Sequence, residues 1–264
     1  MRLLALGDIC GETGMEVLRR HLRSFVKLRG VDIVVCNGEN ADVLGLRNRQ
    51  AEELWGLGVD VVTLGNHAWG RQRVVKYLKD RPQALRPLNF SPHVPGASYC
   101  LLERQGLVVA VFCMVGRCFM EHNYDNPFTT ADALLSRLKA DLIVADFHAE
   151  ATSEKAAMAY HLDGRVSALF GTHTHVQTSD ERIFPSGLGF ITDIGMTGAY
   201  DSVLGVQAQL SLVRYLGGIP QRYEAPTSGM AVVEGALFTI DPQTRTCADI
   251  ERIREFCEIE SSQK

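Results

Sequence analysis

Apolar positions fall in short runs, and the spacing between runs changes along the chain. Leu3–Leu6, Val31–Cys36 and Val59–Leu64 are rich in leucine and β-branched residues, which predicts short buried strands. Between them, Met15–Leu28 places Val17, Leu18, Leu22, Phe25 and Val26 on one helical face. Asn48–Leu57 and Gln72–Lys79 read as two further helices. Strand, helix, strand at this spacing predicts βαβ units and parallel pairing. Gly7, Gly38 and Gly65 each follow an apolar run, where the chain must turn sharply.

The middle of the chain changes period. Ser98–Leu102 and Leu107–Val115, joined by Glu103-Arg-Gln-Gly106, predict a β-hairpin. Thr129–Lys139 reads as a helix capped by Thr129 or Thr130. Leu142–Ala145 and Val166–Phe170 return to the strand pattern, with a helix near Ser153–His161 between them. Arg182–Thr192 predicts a hairpin around Pro185-Ser-Gly187, and Met230–Thr239 with Arg245–Ile253 another antiparallel pair. The polar end, Glu258–Lys264, reads as frayed. No repeat, low-complexity stretch or linker divides the chain. The whole predicts one α/β domain over residues 1–264, with two mixed sheets face to face and helices outside. Ligands would gather at the carboxyl ends of strands.

Composition narrows the class. The chain has 264 residues, 46% apolar and 22% charged, ordinary for a globular protein. A net charge of −4 argues against broad attraction to nucleic-acid backbones and leaves room for a local positive site. No apolar run approaches the roughly 18 residues that span a bilayer, and Met1–Asp8 is too soon interrupted for a signal peptide. Seven cysteines with no Cys-x-x-Cys pair read as small core residues in a reducing cytosol.

Candidate chemistry sits where the apolar runs end. Gly171-Thr-His173-Thr-His175 follows Val166–Phe170, and residues i and i+2 on an extended segment point to one side. Two imidazoles aimed together can seat a transition metal. Four other run ends finish in donors: Asp8; Glu39 and Asn40; Asn66 and His67; His148. Singly, Asp8 reads as a turn cap, Asn40 and Asn66 as turn residues, and His148 as a core histidine. Together Asp8, Glu39, Asn40, Asn66, His148, His173 and His175 form an oxygen and nitrogen set without sulfur, suited to iron, manganese or zinc. Seven donors suit two ions, and a carboxylate can bridge a pair held about 3.5–4 Å apart. His67, next to Asn66, is placed to donate a proton. Arg117–Asn126 could form a loop over the site. Gly7-Asp-Ile-Cys-Gly11-Glu-Thr-Gly14 lacks the spacing of a dinucleotide or P-loop fingerprint. Ser91, Ser153 and Ser179 have no nucleophile-elbow context.

Gly7-Asp8, Gly65-Asn66-His67 and Gly171-Thr-His173-Thr-His175 resemble the signature of calcineurin-like metallophosphoesterases. Asn37-Gly-Glu39-Asn40, Asp146–Lys155, Leu162–Ala168 and Thr192–Gly198 resemble the bacterial YmdB-like branch, cytosolic phosphodiesterases acting on cyclic nucleotides. The likeness runs along nearly the whole chain. It implies the four-layer α/β/β/α sandwich of that superfamily and a di-iron or similar centre of two divalent or mixed-valence ions. It further implies that Asp8, Asn40 and His175 hold one ion, that Asn66, His148 and His173 hold the other, and that Glu39 bridges. His67 would be the catalytic acid, and a hydroxide shared by the metals the in-line nucleophile. The partner implied is a small phosphodiester such as a 2′,3′-cyclic nucleotide, with no stable nucleic-acid partner, no membrane and possible self-association. A phosphomonoesterase or nuclease with the same centre, or a non-catalytic metal-holding regulator, are the other readings. Departures from the family pattern are Gly70 in place of an acidic residue, the loop Ala41-Asp-Val-Leu-Gly45, and Cys10 where the superfamily usually has histidine.

Overall fold

Leucine-rich and β-branched runs become strands close to their expected bounds. In the computed structural model, which describes residues 1–219 and 221–260, the chain opens with β1 (Arg2–Leu6), β2 (Asp8–Ile9), α1 (Gly11–Arg29) and β3 (Ile33–Asn37). It continues through α2 (Asn48–Leu57), β4 (Val61–Thr63), α3 (Gln72–Asp80), β5 (Ala84–Leu85), β6 (Tyr99–Arg104) and β7 (Leu107–Val115). Next come α4 (Pro127–Leu135), β8 (Leu142–His148), α5 (Thr152–Leu162), β9 (Ala168–Thr172), β10 (Arg182–Ile183) and β11 (Gly189–Ile191). The last elements are β12 (Met196–Ala199), α6 (Ala208–Tyr215), β13 (Gly229–Ile240) and β14 (Cys247–Ile259).

One sheet runs β2-β12-β13-β1-β3-β4-β5 with β14 on β13, and the other runs β10-β11-β9-β8-β7-β6. The βαβ expectation holds: β1, β3, β4 and β5 pair in parallel, as do β7, β8, β9 and β11. Antiparallel strands flank both sets, so each sheet is mixed.

Alternation along the strands separates three cores. Leu4 and Leu6 of β1, with Val34, Cys36 and Val62, pack under Leu18, Leu54 and Leu78 of α1, α2 and α3. Leu3 and Ala5 point the other way, with Ile33 and Val35, and meet Val109, Val111, Val144 and Phe170 of the second sheet. The outer face of that sheet, Phe112, Phe147 and Phe190, is covered by Leu134, Met158 and Leu162 of α4 and α5. The layers are therefore helix, sheet, sheet, helix, and strands buried on both faces explain the near-continuous apolar runs.

Some boundaries differ from expectation. α1 starts at Gly11 rather than Met15, because Gly14 lets the helix approach the Thr197 carbonyl of β12 where a Cβ would collide. α4 starts at Pro127, since the Asn126 side chain accepts from Phe128 N at 2.9 Å and proline suits the first helical position. Thr129 and Thr130 donate back to the Asn126 carbonyl inside the first turn, so neither is the cap. Glu258 and Ile259 are not frayed but end β14, with Ile259 buried, while residues 261–264 lie outside the described residues. Cys10, Cys36, Cys100, Cys113 and Cys247 are buried free thiols, as expected, whereas Cys118 is exposed and Cys257 half-buried, so these two are not core residues. Among the described residues no helix is long and apolar enough to cross a membrane.

Candidate metal centre

The carboxyl ends of β1, β3 and β4 from one sheet meet those of β8 and β9 from the other. The first sheet contributes Asp8, Glu39, Asn40, Asn66 and His67, and the second His148, His173 and His175. His148 Nε2 lies 2.9 Å from Glu39 Oε1, 3.0 Å from Asn66 Oδ1 and 3.0 Å from His173 Nδ1. On the other side, His175 Nε2 lies 3.6 Å from Asp8 Oδ1 and 3.1 Å from Asn40 Nδ2. All eight candidate residues therefore fall in one place, in two subclusters. Glu39 also touches His67, accepting its amide N–H on Oε2 at 3.0 Å.

The donor set fits cations. Asp8 Oδ1 and Glu39 Oε1 are buried and accept no hydrogen bond, a costly state for a carboxylate unless a positive charge faces it. Separations of 2.9–3.0 Å around His148 Nε2 are those of donors sharing one ion through bonds of about 2.1 Å.

Each histidine has its far nitrogen occupied. His148 Nδ1–H donates to Thr172 Oγ1 at 2.9 Å, and that hydroxyl donates to Asp146 Oδ1 at 2.7 Å. Asp146 is further held by Thr63 at 2.5 Å and Asn37 at 3.3 Å. His175 Nδ1–H donates to the Leu204 carbonyl at 3.0 Å, and His173 Nε2 faces Glu150 Oε2 at 3.2 Å. Such partners set the tautomer of the neutral ring, in which the inward nitrogen carries the lone pair that a metal needs. Asp146, Thr172 and Glu150 act through the histidines, and nothing in the local sequence spacing marks them for that role.

Buried charge pulls protons into the cluster. Burial works against charge on His148, but Glu39, then Asp8 and Asp146, outweigh it and hold its pKa above the usual imidazole value. For His175 burial is outweighed by Cys10 and Asp8, and the pKa lies well above the usual value. His173 goes the other way, to about 3, through burial and then the charge on His148. Asp8 and Glu39 resist burial because these imidazoles hold them below the ordinary carboxylate range. Without cations, then, the charged forms of His148 and His175 are favoured beyond the usual imidazole range, and an entering ion must displace those protons. Raised pKa values carry that competition above pH ~6.5, so metal affinity should climb with pH through and beyond the histidine range. Calorimetric titration of metal-free protein at pH 7, in buffers of different ionisation enthalpy, should show net proton release. Binding without proton release would mean both rings are neutral beforehand.

The expected extended His-x-His geometry does not occur. β9 ends at Thr172, and His173 and His175 both take positive φ, 100° and 61°. These left-handed residues, uncommon outside glycine, turn the rings into different subclusters. The kinked loop is pinned by Asp193, whose Oδ2 accepts from Thr174 N at 3.2 Å and Thr174 Oγ1 at 2.8 Å. Asp193 is itself paired with fully buried Lys155 at 2.7 Å. Gly65 is needed for close approach, because a Cβ there would collide with the His148 ring and the Glu39 carboxylate. Asn40 faces His175 with its amide nitrogen, while its oxygen lies 3.1 Å from His67 Nδ1. To present oxygen beside His175, this amide must turn over. Cys10 stands with its sulfur 3.5 Å from His175 Nδ1.

His67 is half-buried and lines two cavities. One, of about 180 Å³, is bounded by Glu39, Asn40, Leu44, His173, His175 and Tyr223. The other, of about 570 Å³, is bounded by Asn66, Trp69, Phe90 and Tyr124. The Arg117–Asn126 segment does flank the site, since His122–Asp125 line this larger cavity. Two of the family departures, Gly70 and the Ala41–Gly45 loop, meet here as well: a Cβ on Gly70 would lie 2.7 Å from the Leu44 carbonyl. The small residue and the altered loop thus make one local arrangement.

Residues 4–253 match the sequence model of the YmdB-like protein family. A 2′,3′-cyclic-nucleotide 2′-phosphodiesterase of Bacillus subtilis (strain 168) is 38% identical over 256 residues, 96% of each chain. A hypothetical protein from Thermus thermophilus superposes with a TM-score of 0.90 at 38% identity, over 98% of this chain and 100% of that one. A crystal structure described as a novel phosphatase, from Mycoplasma pneumoniae, gives a TM-score of 0.92 at 31% identity, over 98% and 94%.

Proposed function

Because the chain belongs to the YmdB-like family, we propose that it is a metal-dependent phosphodiesterase hydrolysing 2′,3′-cyclic nucleotides or similar diesters. The observation that carries the reading is the pair of buried, unpartnered oxygens Asp8 Oδ1 and Glu39 Oε1. Each faces the inward nitrogen of a histidine whose outer nitrogen is occupied. Asp8, Asn40 and His175 would hold one ion, Asn66, His148 and His173 a second, and Glu39 both. The donor set suits iron, with manganese or zinc as alternatives. When bound, such a pair lowers the pKa of a water and offsets negative charge on the phosphoryl oxygens.

The chain's own groups supply the rest. His67 Nδ1 lies 3.4 Å from Glu39 Oε1, a carboxylate that can still face an Nδ1–H after the Asn40 amide has turned over, and Nε2 would then carry a proton to the departing ribose oxygen. Its place between the two cavities suits this role: phosphate on one side, nucleoside on the other. Trp69, Phe90 and Tyr124 give the larger cavity aromatic faces for a base, and its volume is that of a ligand pocket. The reading takes residues 1–264 as one catalytic domain working in the cytosol, where its free thiols stay reduced.

A substrate panel tests it. Metal-loaded protein should give a higher kcat/KM on 2′,3′-cyclic nucleotides than on p-nitrophenyl phosphate. Preference for the monoester would replace the reading with a phosphomonoesterase. Tight nucleotide binding without turnover, after full metal loading, would replace it with a nucleotide sensor.

A further inference from the structure

Beside the candidate centre lies a cavity of about 580 Å³ lined by Leu46, Arg47, Asn48, Arg49, Arg71 and Arg73. Four guanidinium groups share it, and among the described residues no carboxylate lines it. Arg47 caps α2 and Arg49 sits in its first turn, while Arg71 caps α3 and Arg73 sits in its first turn. A helix N-terminus already carries about half a positive charge, so cations there are disfavoured and anions are drawn in. Neither helix has an acidic residue in its first turn. Asp42 pairs with both Arg47 and Arg71; Arg49 and Arg73 take part in neither pair, although Glu53, one turn along α2, feels the Arg49 charge while it pairs with Arg19. This concentration of positive charge sits on a chain of net charge −4, so it is local. Arginine at helix N-termini is the arrangement that recognises phosphate.

One loop joins this cavity to the centre. Val43 and Leu44 line the small cavity at the metal ligands, and Leu46 and Arg47 line the arginine cavity. Gly45 between them abuts Arg71, where a Cβ would lie 3.0 Å from the Arg71 amide. A cyclic mononucleotide has one phosphate, which the centre would occupy, and nothing to place among the arginines. A strand with phosphates upstream of a terminal cyclic phosphate does.

We infer that the arginine cavity binds the backbone phosphates of an oligoribonucleotide whose 3′ end, a 2′,3′-cyclic phosphate, lies at the metal centre. This rests on the phosphodiesterase reading above and specifies its substrate class. The test uses Arg49→Ala/Arg73→Ala, which keeps the Asp42 pairs and changes exposed side chains only. A fluorescent 2′-O-methyl tetraribonucleotide with a 3′-phosphate, which cannot be cyclised, is titrated by anisotropy at several salt concentrations. The double variant should bind about tenfold more weakly, and its log–log salt slope should flatten by about 1.4, some 0.7 per lost contact. Arg49→Lys/Arg73→Lys should restore most of both. In turnover, a tetraribonucleotide ending in a 2′,3′-cyclic phosphate should lose about tenfold in kcat/KM, and a cyclic mononucleotide nothing. Equal binding of tetranucleotide and mononucleotide, or an unchanged salt slope in the double variant, overturns the inference. No turnover of any diester would remove the catalytic reading, and the binding arm would then decide the arginine site alone.

Discussion

Glu39→Gln is expected to leave the fold intact and abolish turnover. The amide oxygen can still accept the His67 N–H that Glu39 Oε2 accepts at 3.0 Å, so the backbone after β4 keeps its anchor. Replacing the fully buried carboxylate removes a desolvation cost but also the partner of the buried His148 ring, so the metal-free variant should fold to the same structure and melt somewhat lower than the parent. What it loses is the charge that faces both subclusters. Cations at such a site supply several kcal/mol of transition-state stabilisation. At about 1.4 kcal/mol per factor of ten, activity should fall by at least about 10²–10³-fold, together with the metal content. Elemental analysis and a diester assay on one preparation check this. Two metals per chain with normal activity would remove Glu39 from the bridging position.

His67→Ala should separate substrates by their leaving groups. A ribose alkoxide is a strong base and gains much from protonation as it departs, whereas p-nitrophenolate is already a stable anion. Hydrolysis of a cyclic nucleotide should therefore slow by about 10²–10⁴-fold, and that of a p-nitrophenyl diester far less. His67 is 34% exposed and bonds only through its amide and Nδ1, so both metals should stay. Equal loss on the two substrates would make His67 a phosphate-positioning group. Loss of metal would make it a ligand.

Much of the centre was legible because its donors end strands whose apolar runs are unmistakable. Asp8, Glu39, Asn66 and His148 could be placed together once β1, β3, β4 and β8 were read as strands with a common carboxyl edge. The convergence of His173 and His175 was expected for the wrong reason. Period-two spacing suggested one extended face, but left-handed turns held by Asp193 and Lys155 aim the rings, and that pair is 38 residues apart in sequence. Asp146 and Thr172 escaped for the same cause, since only pairing of β8 with β9 brings them under His148. The short β2, β5 and β12 and helix α6 carried no periodic signal of their own. Asp8 in β2 pairs with Met196 of β12, a contact between segments far apart in the chain. The α4 boundary moved because the local chemistry of Asn126 and Pro127 outranked the threonines after it.

The donors are divided between two sheets, four ligands on one and three on the other. Cations held as proposed would clamp the open edge of the sandwich, tying layers whose shared interior is mainly apolar. The folded state would then be stabilised by mass action, by about 2.7 kcal/mol at a hundredfold excess over the dissociation constant. The protein's persistence would thus follow the supply of its metal. A chain made under metal starvation would open more often at this edge, and proteolysis would clear it before inactive enzyme accumulated.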